Sequence, residues 1–352
     1  MDKQPLENQT LYAELLEQLR AREALRTIGA LEGSFVEKRV KNTYYLYFQY
    51  YAPGGTMRQL YVGKKTPDLD NLVETYRSER KIFAQEMHHI QRLCAQLRSG
   101  DALTTDHASA RVINQMAESG VFRLGGILVG THAYIVLGNV LGVCWEHAAI
   151  RTRDIDIATT QKELEEDVSL VIPQIDSDIP KALESLKMGF FPIPQLDHRQ
   201  PSTSFMIRGK ALRVDILTPQ RKQQTNPVYI PRFKVAAQPL RFLDYLMEEK
   251  IQAAIVDGGG TLVNIPSPAR YAIHKLIVSQ ERSIDAQVKK EKDLFQANQL
   301  ISLLSEERPG DIRIAVESAI VRGQRWKKRV DAGLAELEKR YGLSVRGILS
   351  DR

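Results

Sequence analysis

The sequence predicts an α/β fold, and three patterns lead to this expectation. Residues 124–130 form an apolar, β-branched run that stops at a Gly-Thr pair, and residues 131–141 continue as an amphipathic segment. Asp154 and Asp156 alternate with isoleucines, which is the period of a β-strand. Residues 7–31 place leucines at helical spacing instead. Strands and helices are therefore both expected within one chain.

The first hundred residues predict an N-terminal helix and β-meander module. An amphipathic helix over residues 7–31 precedes residues 33–65, which are rich in tyrosine and phenylalanine and contain a Pro-Gly-Gly turn suited to a hairpin. A threonine N-cap and a proline at the first helical position then predict a long helix over residues 69–97. We assign residues 1–100 to this module.

Residues 101–235 are expected to form the central domain. A helix over residues 105–119 leads into the strand and helix described above. Further elements are expected in order along the chain: a helix over 159–168, a helix over 179–188, a proline-rich loop over 189–202, and a hairpin of strands 203–208 and 211–217. The second strand of this hairpin carries Asp215 within an apolar run.

Residues 236–352 predict a helical C-terminal subdomain. Its expected helices cover 239–250, 268–280, 289–304, 311–322 and 323–341. A glycine-rich turn at 257–260 and a rigid, proline-containing connector at 265–268 separate the first two of them.

Net charge, cysteine content and hydrophobic stretches limit the kinds of partner and of cellular compartment that we expect for this protein. The net charge of +6 suits a polyanionic partner, although plain solubility explains it equally well. Cys94 and Cys144 lie far apart and match no metal-ligand spacing, which fits a reducing, cytoplasmic setting. The N-terminus does not resemble a signal peptide. Residues 124–145 lack formal charges, but their glycines favour a buried strand and helix, so no membrane contact is expected.

The acid pair points to metal chemistry. Asp154 and Asp156 project from one face of a strand, where two carboxylates repel each other unless a cation such as Mg2+ lies between them. Gly130 and Thr131 mark a strand end that feeds a helix N-terminus, where free backbone N–H groups can bind phosphate. Together these features favour metal-assisted transfer of a nucleotidyl group. The alternative interpretation of Asp-x-Asp is a solvated strand end.

The order of hydrophobic-Gly-Thr, helix and hydrophobic-Asp-hydrophobic-Asp resembles the DNA polymerase β-like nucleotidyltransferase superfamily. More narrowly, LVGTHAYIVLGNVLGV and TRDIDIA are similar to a bacterial family of that superfamily, itself distantly similar to abortive-infection type toxin nucleotidyltransferases. The resemblance covers about residues 120–305 and implies a short mixed β-sheet core. Two departures are Thr131, where Gly or Ser is usual, and an inserted loop over residues 144–152.

The resemblance implies a catalytic triad of acids, Asp154, Asp156 and Asp215, that binds Mg2+ or Mn2+. It also implies that Gly130 and Thr131 contact the phosphates of a nucleoside triphosphate. The acceptor hydroxyl would attack the α-phosphorus and expel pyrophosphate, with Asp215 as the candidate general base. The acceptor could belong to RNA such as a tRNA 3′ end, to a protein, or to a small molecule.

A second set of nucleotide-binding residues comes from the same resemblance. In the toxin enzymes a helical lysine, an arginine and a Lys-Asp pair face the triphosphate, and these map onto Lys275, Arg282, Lys292 and Asp293. Lys275 and Arg282 are seven residues apart, which predicts one shared helix face, and Asp293 could orient Lys275. The alternative is an ordinary ion pair between helices that binds no substrate.

Basic and aromatic residues alternate in the β-meander. This pattern suits RNA or DNA, through phosphate pairing and base stacking, and is similar in layout to the arm-type DNA-binding modules of phage integrases. The candidate nucleic-acid-binding residues are Lys38, Arg39, Lys41, Tyr45, Tyr47, Arg58 and Lys64. The alternative is that the tyrosines pack the sheet onto a helix. A second function follows from this module: a nucleic-acid-binding or regulatory protein whose nucleotidyltransferase core is vestigial.

Overall fold

The computed structural model describes residues 1–51, 57–146, 150, 152–160 and 177–343, and it confirms the α/β fold. The described helices are α1 (Leu6–Ala24), α2 (Pro67–Ser99), α3 (His107–Glu118), α4 (Gly130–Leu141), α5 (Ile179–Ser185), α6 (Leu243–Met247), α7 (Pro268–Ser279), α8 (Gln287–Glu307), α9 (Pro309–Ile320) and α10 (Gln324–Tyr341). The described strands are β1 (Asp2–Lys3), β2 (Ser34–Val40), β3 (Thr43–Tyr51), β4 (Met57–Lys64), β5 (Ile127–Val129), β6 (Val143–Cys144), β7 (Asp154–Ala158), β8 (Phe190–Pro192), β9 (Ser204–Ile207), β10 (Arg213–Pro219), β11 (Val228–Ile230), β12 (Val235–Leu240), β13 (Lys250–Ile255) and β14 (Thr261–Pro266).

The N-terminal module contains the expected helices and antiparallel meander, with one difference. Helix α1 ends at Ala24, and a short 3-10 turn follows at Ile28–Ala30. Gly29 lies so close to α2 that a Cβ there would be 2.5 Å from the backbone of Glu79. The chain therefore leaves the helix so that this glycine can pack on α2. The Pro-Gly-Gly turn lies outside the described residues.

A mixed sheet forms the centre of the molecule. Its main path runs in the order β11-β12-β10-β7-β5, and β8 and β9 branch from β10. Strand β10 is parallel to β7 and β12 but antiparallel to β9, while β5 is antiparallel to β7. The predicted hairpin of β9 and β10 is confirmed. The expected loop over 189–202 is wrong in part, because Phe190–Pro192 pair with β9.

The start of the C-terminal part differs most from the expectation. The predicted helix over 239–250 is wrong, since β12 continues through Leu240 and only the short α6 precedes β13. Strands β13 and β14 form a hairpin whose turn is held by Asp257 Oδ1, which accepts from Gly259 N at 2.8 Å and Gly260 N at 2.6 Å. The expected connector at 265–268 is the end of β14 and the start of α7.

The later helices α7 to α10 lie close to their predicted bounds and pack against one another within the main hydrophobic core. The helix expected over 159–168 lies outside the described residues beyond Thr160. Cys94 and Cys144 are both free thiols. Among the described helices, none combines the length and the apolar character that crossing a bilayer requires.

Candidate functional site

Strand register brings the three aspartates to one face of the central sheet. Asp156 on β7 lies directly beside Asp215 on β10, and Asp154 lies beside Arg213. Neighbouring strands are about 4.8 Å apart, and residues two apart on a strand share a face about 7 Å apart. The intervening Ile155 and Ile157 are buried on the opposite face. The apolar face thus anchors the strand and leaves the acidic face open.

Asp156 is the electrostatic focus of this face. Burial first, and then the negative charges of Asp215 and Asp154, raise the pKa of its carboxyl from 3.8 to about 7, against the lowering effect of Lys275 and Lys289. Neighbouring negative charges that raise the pKa of a carboxyl indicate a site with excess negative charge. A divalent cation would relieve this repulsion.

Gly130 forms the corner between β5 and α4, directly against Asp156. Its φ of +66° lies in the left-handed region, and a Cβ there would stand 2.1 Å from Asp156 Oδ2. Its carbonyl accepts a hydrogen bond of 2.9 Å from the hydroxyl of Tyr271 on α7. Thr131 is buried in the first turn of α4. The N-terminus of α4 therefore lies beside the acid face, the position in which a helix can bind phosphate.

Asp215 has two partners on its own sheet. Its Oδ1 accepts from Arg213 Nε at 2.7 Å and from the hydroxyl of Ser204 on β9. Arg213 also donates to Ser204 Oγ at 3.0 Å. Arg213 is about half exposed whereas Asp215 is mostly buried, so the guanidinium covers the carboxylate from the solvent side.

The carboxylate oxygens at this face are ligands of the type that a hard divalent cation prefers. In this structure they do not point to one common position. Across the described ranges, no group of three or more His, Cys, Asp or Glu side chains lies close enough together to hold a metal ion. Asp215 is turned to Arg213, while Asp154 is exposed and Asp156 lies against the glycine corner. Oxygen donors with uncompensated charge are what Mg2+ prefers. Asp154 and Asp156 would hold it, with Asp215 once released from Arg213.

A buried ion triad joins α7 to α8. Asp293 Oδ1 accepts from Lys275 Nζ at 2.6 Å, and its Oδ2 accepts from Arg282 at 2.9 Å. Burial disfavours the charged Asp293 carboxyl, but Lys275 and Arg282 outweigh burial and hold its pKa below 3.8. The predicted shared helix face is wrong, because α7 ends at Ser279 and Arg282 follows it. The two cations meet through Asp293 instead.

Lys292 and Lys289 on α8 extend this positive region toward the acids. Burial and nearby Lys275 lower the pKa of Lys292, whereas Asp293, Asp154 and Asp156 act to raise it. Lys289 contributes to the field at Asp156 in the same sense as Lys275. Three lysines therefore bring positive charge close to the acid face.

The sequence interpretation missed four residues at this site: Ser204, Arg213, Tyr271 and Lys289. Two of them carry a readable signal. Arg213 lies two residues before Asp215 on a strand, and Lys289 lies three residues before Lys292 on a helix, so each shares a face with its partner. His274 packs as expected, since burial and Lys275 lower its pKa to about 3 and keep it neutral.

The seven candidate nucleic-acid-binding residues do not share one surface. Lys38, Tyr45, Tyr47 and Lys64 occupy one face of the N-terminal sheet by register. Arg39 and Arg58 lie opposite Tyr44 and Tyr50 on the other face, and Lys41 lies in the turn between β2 and β3.

Replacing Gly130 with alanine is expected to lower the activity of this site about 100-fold and to destabilise the fold by about 1–3 kcal/mol. The new Cβ would require a left-handed backbone and would collide with the Asp156 carboxylate. Activity assays and thermal unfolding measure the two effects. Gly209→Ala is the matched control, because Gly209 has a φ of +74° with open space around its Cβ position. Equal losses in both variants would contradict the role of the corner.

Comparison with known proteins identifies the family of this chain. The family model described as Nucleotidyltransferase matches residues 107–321, more than half of the chain. Among solved structures, the chain is similar to an antigenic nucleotidyltransferase-like protein from Paracoccidioides brasiliensis, at 12% identity and a TM-score of 0.32, over 64% of this chain and 94% of that chain. No curated protein matches significantly. The chain belongs to the nucleotidyltransferase family whose model covers its acid-bearing sheet and the helices behind it.

Proposed function

We propose that the protein transfers a nucleoside monophosphate from a nucleoside triphosphate to an acceptor hydroxyl, with Mg2+ or Mn2+, and releases pyrophosphate. The observation that carries this proposal is the contact of Asp156 with the Gly130 corner, with Asp215 in register on the next strand. It combines an anion-binding helix N-terminus with a cluster of carboxylates, which is the equipment for two-metal phosphoryl chemistry.

Each group of residues has a distinct task in this reaction. The amides at Gly130 and Thr131 bind phosphate oxygens, and Lys275, Lys289 and Lys292 balance the triphosphate charge. Bound divalent ions supply charge neutralisation and a lower pKa of the acceptor hydroxyl. Asp215 takes the hydroxyl proton as the new oxygen–phosphorus bond forms and the bond to the pyrophosphate oxygen breaks.

The acceptor has room beside Asp215. Strand β10 exchanges its partner β9 for β12 near Leu217, and a cavity of about 640 Å3 opens at this split in the sheet. Gln195, His198 and Gln238 line it together with Asp215. This supports an acceptor that reaches the carboxylate from the β12 side. RNA such as a tRNA 3′ end and a protein hydroxyl are the acceptor classes we propose, and the resemblance to toxin enzymes supports the first.

A transfer assay tests this proposal directly. The purified chain is incubated with each of the four labelled nucleoside triphosphates, with Mg2+ or Mn2+, and with total RNA or total protein. We expect label on one acceptor class and release of pyrophosphate. Asp154→Asn is expected to lower the rate at least about 100-fold, because it removes one of the carboxylates at the cation site.

The matched control is Asp311→Asn, which removes an exposed aspartate at the start of α9 and is expected to leave transfer unchanged. Transfer that survives Asp154→Asn would overturn the proposal. It would then favour the second candidate, a binding protein with a vestigial core.

A further inference from the structure

The two faces of the N-terminal sheet have different surroundings. Phe35 and Phe48 lie on the face toward α2, where both rings meet Tyr76 edge-on at centroid distances of 5.2 and 5.8 Å. Leu46 is buried on the same face. Phenylalanine and leucine therefore attach the sheet to the helix, and the tyrosines of the other face are not used for that purpose.

The outer face, which we define as Lys38, Tyr45, Tyr47, Tyr61 and Lys64, is assembled by register. Lys38 and Lys64 flank Tyr45 on either side, and Tyr61 lies beside Tyr47. A bulge between Leu46 and Tyr47 shifts β4 by one residue, so that Tyr61 and Lys64 face the same way although they are three apart. Sequence alternation alone would separate them.

The rings of the outer face form a continuous aromatic surface. Tyr61 contacts Tyr47 at 5.6 Å and Tyr45 at 6.1 Å between centroids. The ammonium of Lys38 lies 4.9 Å from the centre of the Tyr47 ring. Tyr61 is more than half exposed, and Tyr45 and Tyr47 are partly exposed. Flat rings are thus presented to solvent with cations at their edges.

The outer face carries positive charge without negative charge. Within residues 34–51 and 57–64, the strands contain one acidic residue, Glu37, and it points to the other side, where it pairs with Lys65 at 2.6 Å. Gln49 and Gln59, hydrogen-bonded to each other at 2.9 Å, lie on this side of the sheet by register, as do uncharged residues such as Val36 and Met57. A polyanion would therefore meet lysines, amides and rings and no carboxylate.

We propose that the outer face binds single-stranded nucleic acid, with bases stacked on the tyrosines and phosphates paired with Lys38 and Lys64. Base stacking on exposed rings needs unpaired bases, which excludes a duplex as the preferred ligand. An acidic peptide would use the lysines but would gain nothing from the rings. The inference is separate from the proposed nucleotidyl transfer, because no residue of the acid face takes part.

Fluorescence anisotropy with a labelled twelve-nucleotide oligo-uridine and oligo-deoxythymidine tests the inference. No nucleoside triphosphate or metal is added, so a failure here is distinct from a failure of transfer. Tyr47→Ala and Tyr61→Ala are each expected to weaken binding about 10-fold. Tyr47→Phe is expected to bind as the native chain does, because it keeps the ring. Asp156→Asn is expected to bind equally well.

The salt dependence of oligonucleotide affinity tests the role of the two lysines. Lys38→Gln combined with Lys64→Gln is expected to reduce the slope of log affinity against log salt by about 1.4, which corresponds to two phosphates of a single strand. Arg39→Gln combined with Arg58→Gln removes the same charge from the opposite face and is the matched control, with little expected change.

Three results would overturn the inference. One is equal affinity for the oligonucleotides in the native chain and in the double variant Tyr47→Ala with Tyr61→Ala, provided that circular dichroism shows both proteins to be folded. Another is equal affinity for a duplex of the same length. The third is equal affinity for poly-glutamate, which would assign the face to an acidic protein.

Discussion

Asparagine in place of Asp156 is expected to abolish nucleotidyl transfer, with kcat/KM lowered about 1,000-fold or more. Asp156 contacts the Gly130 corner and lies between Asp154 and Asp215 on the acid face. An amide keeps the shape of the side chain. It supplies neither the negative charge nor the second oxygen ligand that a carboxylate gives to a cation site. Steady-state kinetics with the triphosphate identified by the transfer assay measures the loss.

The same substitution is expected to stabilise the metal-free fold, and the effect depends on pH. The Asp156 pKa rises from 3.8 to about 7 on folding, so the folded state binds this proton more tightly than the unfolded state does. The resulting penalty is absent below pH 4, grows as the pH rises to 7, and is complete above it. Asparagine removes the penalty and is expected to add about 1–3 kcal/mol at pH 8.

Denaturant unfolding with a chelator, at pH 4.5 and at pH 8, separates these outcomes. A stabilising effect at pH 8 that falls to about a quarter of its size at pH 4.5 is the expected pattern. An Asp156→Asn protein that is less stable than the native chain at pH 8 would contradict the electrostatic description of the acid face. If the Asp156→Asn protein still catalyses transfer, the catalytic role of Asp156 is contradicted, whatever the stability of the variant.

The acid face could be predicted from sequence because its signals are local. Asp154 and Asp156 show their shared direction through the isoleucines between them, and the Gly-Thr pair marks the end of β5. The placement of Asp215 next to Asp156 needed the resemblance, since register between strands far apart in sequence has no local signal. Ser204 reaches Asp215 only through the branch of β9 from β10, which depends on tertiary pairing.

The errors of the sequence interpretation have a common cause. The sequence interpretation ends a helix at residue 250, begins a connector at residue 265 and assigns no strand between them, although KIQAAI and TLVNIP are short enough and β-branched enough to form strands. Their hairpin is stabilised by contact with other elements: Tyr12 on α1 exchanges hydrogen bonds of 3.0 Å with the backbone N–H and C=O of Ala254. Contacts with residues far away in the sequence therefore decide whether such a segment forms a helix or a strand. A single sequence does not show these contacts.

The N-terminal sheet shows the limit of composition as evidence. Basic and aromatic content alone grouped Arg39 and Arg58 with Lys38 and Tyr47, whereas register places the two arginines on the face toward α2. The bulge in β4 then brings Tyr61 to the outer face. The alternation of side chains along each strand thus decides which residues share a face. A single bulge shifts that alternation by one residue.

Leucine in place of Asp293 is expected to cause the largest loss of stability, about 3–5 kcal/mol, because it leaves two buried or half-buried cations without their shared anion. Asp293 is 5% exposed, Lys275 is 13% exposed, and Arg282 is 32% exposed. Lys275 also lies 5.4 Å from the centre of the Tyr271 ring, so its release would disturb the support of the Gly130 corner. Urea unfolding measures this loss.

A second substitution decides whether the triad serves structure alone or also the substrate. Lys275→Met combined with Asp293→Leu removes the ion pair and fills the space with apolar groups, so most of the stability is expected to return. If Lys275 contacts the triphosphate, transfer by this double variant stays at least about 10-fold low, with a raised KM for the nucleotide. If the triad is only an ion pair between helices, activity returns together with stability. Because the field of Lys275 reaches Asp156, we expect stability to recover and transfer to remain low.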